Sequence, residues 1–130
     1  MKKIIFSIIA LVCISLNLTG QGLAPYIKIG ESSESIEQVS EQVISTLKEN
    51  SFTVLGTYNP SSKNSLKVIA FTRTDLKNTV IKVSDRGALA AAFKVGLVQK
   101  DGKITISYTN PDYFLRAYLL DNYNSFKGTF

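Results

Sequence analysis

Six residues within the stretch 108–118 combine side chains suited to holding a small molecule: Tyr108, Asn110, Asp112, Tyr113, Arg116 and Tyr118. They join the end of a β-prone run to the start of a helical one. One guanidinium and three phenols in that position could grip a small anionic or aromatic ligand. The Arg would supply a two-pronged fork and the helix start its N–H groups. The competing reading is packed aromatics, a helix cap and a surface Arg, because aromatic residues at helical spacing usually pack. Arg73 and Arg86 flank the middle helical region and could join an anion site. The candidate ligand-binding residues are therefore Tyr108, Asn110, Tyr113, Arg116, Arg73 and Arg86, with no catalytic residue and no metal ligand singled out.

Composition narrows the chemistry further. The 130 residues include no His and a single Cys, which removes the commonest acid/base, metal ligand and pH switch together. What remains is ten carboxylates, six Tyr, three Arg, and the Lys and Ser/Thr groups. Asp75, Asp85, Asp101 and Asp112 all fall at turns or helix starts, where capping accounts for them. Glu31, Glu34, Glu37 and Glu41 recur around one helical stretch, and a solvated helix face accounts for those. No Gly-rich phosphate loop is present, and no Ser and Lys are singled out by spacing. No cofactor is implied.

The chain opens with a leader pattern. Lys2 and Lys3 precede an apolar run from Ile4 to Leu18, and the small-residue segment Thr19-Gly20-Gln21-Gly22 follows, which is the order of a secretory signal peptide. The run is short for a stable membrane span. Residues 1–22 are expected to be a signal peptide, cut after Gly20 or Gly22, and the protein to be exported, periplasmic or secreted. Cleavage would remove Cys13, leaving 13 basic against 10 acidic side chains, a net +3 without cysteine. The whole-chain pI of about 9.4 is in the range of nucleic-acid binders, but the lysines are spread singly from Lys28 to Lys127, without the concentrated footprint such binding needs.

The elements that must position these residues are legible from periodicity. Tyr26–Ile29 reads as a strand. Ser32–Ser35 offers helix-starting hydroxyls, and Ile36, Val39, Val43, Ile44 and Leu47 follow at helical spacing. Phe52–Tyr58 is β-prone, with Phe52, Val54 and Tyr58 assigned to one face, and 66–71 returns as a second such run after an Asn-Pro turn. Thr74–Val83 is read as helix over strand, and Ala88–Ala92 as a strong helix former. Asp101-Gly102 between β-prone runs is a hairpin signal, with Ile104, Ile106 and Tyr108 on one face and Thr105, Ser107 and Thr109 on the other. Asn110-Pro111-Asp112 opens a last helix whose apolar stripe is assigned to Phe114, Ala117 and Tyr118. The order β-α-β-β-(α)-β-β-α describes a single α+β domain over 23–130. It is a two-layer arrangement in which a mostly antiparallel sheet carries helices on one face. Its open edges need covering, and homodimerisation is one way to do it.

The tract Asp85-Arg86-Gly87-Ala88-Leu89-Ala90-Ala91-Ala92-Phe93-Lys94-Val95-Gly96, followed by Lys100-Asp101-Gly102-Lys103 and Asn110-Pro111-Asp112-Tyr113, resembles domain of unknown function 302. The upstream helix and Phe52-Thr53-Val54-Leu55-Gly56 extend the resemblance to about 100 residues. It implies a compact α+β domain similar to small β-α-β(4)-α folds of bacterial and archaeal proteins. It implies no established activity, substrate or catalytic residue, so none is carried over. This chain has Asn50-Ser51 where Gly is expected before Phe52, and lacks the His and Cys that some members carry.

Together these readings lean away from catalysis, toward a non-catalytic domain binding a small ligand or an envelope protein. The alternative is a hydrolase using carboxylate, Tyr or Ser/Lys chemistry.

Overall fold

The computed structural model describes residues 22–129. The leader expected at 1–22 lies, Gly22 apart, outside the described residues. The elements are strand β1 (Tyr26–Ser32), helix α1 (Ile36–Glu49), strands β2 (Thr53–Tyr58) and β3 (Leu66–Thr72), helix α2 (Thr74–Val80), strands β4 (Phe93–Lys100) and β5 (Lys103–Thr109), and helices α3 (Pro111–Leu119) and α4 (Tyr123–Phe126). They form an α+β domain with one five-stranded antiparallel sheet, ordered β1-β5-β4-β3-β2. Among the described residues no helix is long and apolar enough to cross a membrane.

Sheet order dictates where α1 lies. Because β1 and β2 are opposite edges, the helix joining them must cross the width of one face. Ser35 starts it through a reciprocal cap: its Oγ accepts from Gln38 N (3.2 Å) and its own N–H donates to Gln38 Oε1 (3.1 Å). Ile36 and Val39 are buried, while Val43, Ile44 and Leu47 continue the stripe half-buried along the core. The face they cover is set by register. Ile69 pairs with Val95, Phe71 with Phe93, Leu97 with Ile106 and Val95 with Tyr108, so all these side chains share the inner face.

Both edge strands carry a β-bulge, between Lys28 and Gly30 in β1 and between Val54 and Gly56 in β2. Bulges blunt an edge against further strand pairing. The second one corrects a sequence expectation. Val54 sits opposite Phe71 on the inner face, but Tyr58 sits opposite Val68 on the outer face. The inserted residue, Leu55, shifts the alternation by one, so Val54 and Tyr58 do not share a face.

Two helical expectations also change. The Ala-rich tract forms a five-residue 3-10 turn, Gly87–Ala91, rather than an α-helix. Gly87 lies so close to the end of α2 that a Cβ would stand 2.4 Å from Val80 O and 2.7 Å from the Val83 Cβ. Phe93 must then enter β4 opposite Phe71, which leaves no room for longer helix, and tertiary packing overrides Ala propensity. In α3 the buried positions are Leu115 and Leu119, continued by Tyr123, with Phe114 and Tyr118 half-buried and Ala117 exposed. The stripe is therefore one residue out of phase with the expected one. The 74–83 segment is helical over Thr74–Val80, and the β4–β5 hairpin turns at Asp101 (φ 51°) and Gly102 (φ 75°), the backbone pair of a type I′ turn.

Candidate functional site

A cleft of about 340 Å³ opens on the inner face where α1 no longer covers the sheet. Its floor is Phe71, Phe93, Val95 and Tyr108 from three adjacent strands, with Ile29 of the β1 bulge at one side. Leu47 at the end of α1, Phe52, Leu76 of α2 and Pro111 complete the apolar wall. Among the described residues, Arg73 is the only charged one lining it. The volume sits at the small end of the roughly 300–1,000 Å³ range of small-molecule sites, and so does the pattern of apolar lining with few polar groups.

The aromatic part of this wall is continuous. Phe52 meets Phe71 edge-on at 5.4 Å between ring centroids, Phe71 meets Phe93 at 6.2 Å, and Phe93 meets Phe114 of α3 at 6.3 Å. Such offset contacts are the preferred geometry of aromatic quadrupoles. Ile29 is 62% exposed although it lies on the cleft, the position of a side chain at a mouth rather than in a core.

Arg73 is placed between β3 and α2 and is fixed from two sides. Its Nε donates to Asp75 Oδ1 (2.6 Å), which also accepts from Leu76 N (2.8 Å). The guanidinium carbon lies 5.5 Å from the Phe52 ring centroid, a cation–π distance. The hydrogen bond from Arg73 holds the Asp75 carboxyl below the usual carboxylate range and raises the Arg73 pKa in turn. Among the described residues, the Arg73 guanidinium makes its hydrogen bond through Nε, leaving its two terminal nitrogens to other partners.

The other candidates fall elsewhere. Asn110 is buried and structural: its Oδ1 caps α3 by accepting from Asp112 N (3.1 Å), and its Nδ2 donates to Ala24 O (2.8 Å). Arg116 bonds Asp112 (3.1 Å) across one helical turn. Arg86 pairs with Asp85 (3.0 Å) at a surface turn, and Tyr113 is exposed away from both depressions. Of the six candidates, only Arg73 and Tyr108 meet at the apolar cleft. Anion binding at the start of α3 is opposed by its own Asp112 carboxylate in the first turn.

A second depression of about 400 Å³ borders Ile27, Asn110, Asp112, Leu115, Tyr123 and Lys127. Tyr108 lines it as well, and its Asp112 is already engaged. The Tyr123 hydroxyl donates to Asp112 Oδ1, Arg116 Nε donates to Oδ2, and the Arg116 guanidinium lies 4.3 Å from the Tyr123 ring centroid. The bond from Tyr123, then that from Arg116, lowers the Asp112 pKa, with Lys127 adding to it, and the same carboxylate raises the Tyr123 pKa. Among the described residues no three Cys, His, Asp or Glu side chains gather as a metal site.

The signs of these shifts define a pH window. Asp112 is lowered in the fold, so its contribution is present above about pH 4 and is lost as pH falls through the lowered value. Tyr123 is raised, so its contribution is present below about pH 10 and is lost as pH rises through the raised value. Asp112→Asn should therefore lose less melting temperature than the wild type between about pH 6 and about pH 3. Glu31 and Asp75, also lowered by Lys28 and Arg73, should keep some acid sensitivity in the variant. Identical acid losses in the two proteins would show that this trio does not set the titration.

The family model described as Domain of unknown function DUF302 matches residues 29–127. The chain belongs to that family. The DUF302 match begins at Ile29, on the rim of the cleft, and ends at Lys127, so it takes in the whole lining of the cleft and all of the second depression's lining but Ile27. Among curated proteins, none matches the chain in sequence. The sequence pointed to Arg73 and Tyr108, placed Phe52 and Phe71 on strands, and assigned no site role to Phe93 or Leu76. The available signal was positional: Phe52, Phe71 and Phe93 all stand at strand ends, where a sheet face runs out of helix to cover it.

Proposed function

We propose that this DUF302 domain is a non-catalytic binding module that takes up a small apolar molecule in the cleft between α1, α2 and the inner sheet face. The observation carrying this reading is the cleft itself: a 340 Å³ space walled by side chains from seven elements, with a single charge at its rim. A gap of that size in so small a core leaves Phe71, Phe93 and Val95 short of packing partners, which a bound apolar group would supply.

Titration with a series of primary alcohols from hexanol to decanol tests the reading. Affinity should rise roughly fourfold per methylene while the chain stays inside the cleft, the gain expected for full burial of each CH₂. Ile29→Trp, which fills the mouth from an exposed edge-strand position, should abolish the effect without unfolding the protein. An affinity independent of chain length, or unchanged in Ile29→Trp, would refute it.

A further inference from the structure

We propose that the ligand of this cleft is a carboxylate-headed amphiphile, whose tail occupies the apolar wall and whose head is received by Arg73. The inference rests on the apolar-cleft reading above and adds the headgroup. Arg73 is the one charged residue on the lining, and its charge is positive. It is also preset in orientation: Asp75 takes the Nε edge at 2.6 Å, and the Phe52 ring supports the guanidinium at 5.5 Å. The terminal nitrogens keep donors that match the two oxygens of a carboxylate.

Asp75 does not cancel this selectivity. Its Oδ1 is committed to Arg73 Nε and to the Leu76 N–H, so it acts as a positioning group behind the guanidinium rather than as a competing anion on the lining. A neutral polar head would find one Tyr hydroxyl, Tyr108, and donors better matched to an anion. A cationic head would meet Arg73 directly. The charge at the rim therefore selects an anionic head, and the small volume selects one short chain rather than a two-tailed lipid.

The test compares decanoate with decanol on the full chain at neutral pH, by calorimetric titration, in the wild type, Arg73→Gln and Arg73→Lys. Decanoate should bind about tenfold or more tightly than decanol, as expected for hydrogen bonds to a charged group. Arg73→Gln should bring decanoate down to the level of decanol, with a much smaller change for decanol itself. Arg73→Lys, which keeps the charge but not the fork, should retain part of the preference, and separates loss of charge from loss of fold. Equal binding of the two probes in the wild type, with no response to Arg73→Gln, would overturn the headgroup assignment and leave the apolar cleft standing. Failure of both probes to bind would overturn the cleft reading with it.

Discussion

Ile104→Asp should leave no soluble folded protein, whereas Thr105→Asp, one residue further on, should fold with nearly unchanged stability. Ile104 is completely buried on the inner face, near the hairpin end of β5, and belongs to the same core cluster as Val39, Ile69 and Leu97. Deleting such a side chain alone costs about 2–5 kcal/mol. Placing a carboxylate there adds a desolvation penalty of several kcal/mol. A domain of this size has about 5–15 kcal/mol in total, so the substitution consumes most or all of it. Thr105 points to the opposite face, half-exposed, across from Glu31 and two residues from Lys103. An acid there adds a like-charge neighbour and a favourable one, each worth less than about 1 kcal/mol. Circular dichroism and size-exclusion chromatography of the two variants decide the matter. Comparable folding of both would mean that the faces of β5 are assigned the wrong way round.

That contrast is legible in the sequence because it depends on local rules. The period-two alternation of β5, the Asp101-Gly102 turn and the Asn110-Pro111-Asp112 cap each involve only a few neighbouring residues, and each stands where the chain chemistry requires. The Tyr58 face was not legible, because a bulge at Leu55 is decided by what β3 offers across the ladder. The Ala-rich turn failed for a related reason. Its helix propensity is real, but the contact of Gly87 with Val80 is made between segments that no local pattern connects.

The candidate site divides along the same line. Charged and polar residues could be named from type and spacing, and Arg73 and Tyr108 did reach the cleft. Asn110, Arg86 and Arg116 were drawn away by partners two, one and four residues distant. The cleft was hidden because it is a missing contact: Phe71 and Phe93 have the sequence signature of core, and they are core on one side. Only the path of α1 across the sheet determines which of their surfaces remains open. An apolar site with one charge is therefore nearly invisible to motif reasoning, which looks for concentrations of reactive groups.

Phe71→Ala should be the most informative substitution, since it strikes the residue shared by core and cleft. Phe71 is buried, stands opposite Phe93 and Val54 in register, and forms the centre of the aromatic row from Phe52 to Phe114. Truncation of a buried Phe costs about 3–5 kcal/mol, which for a domain near 100 residues lowers the melting temperature by roughly 10–30 °C. Because the new space joins an existing opening, it should be refilled by ligand instead of remaining a sealed void. Saturating decanol should then raise the melting temperature of Phe71→Ala by more than it raises that of the wild type, by linkage between binding and folding. Phe71→Leu, which keeps more of the packed volume, should fall between the two in both stability and rescue. A loss of less than about 1 kcal/mol in Phe71→Ala would show that the aromatic row does not tie β3 to β4 and α3. A full loss of stability with no rescue would separate the two roles, leaving Phe71 to the core and removing it from the floor of the cleft.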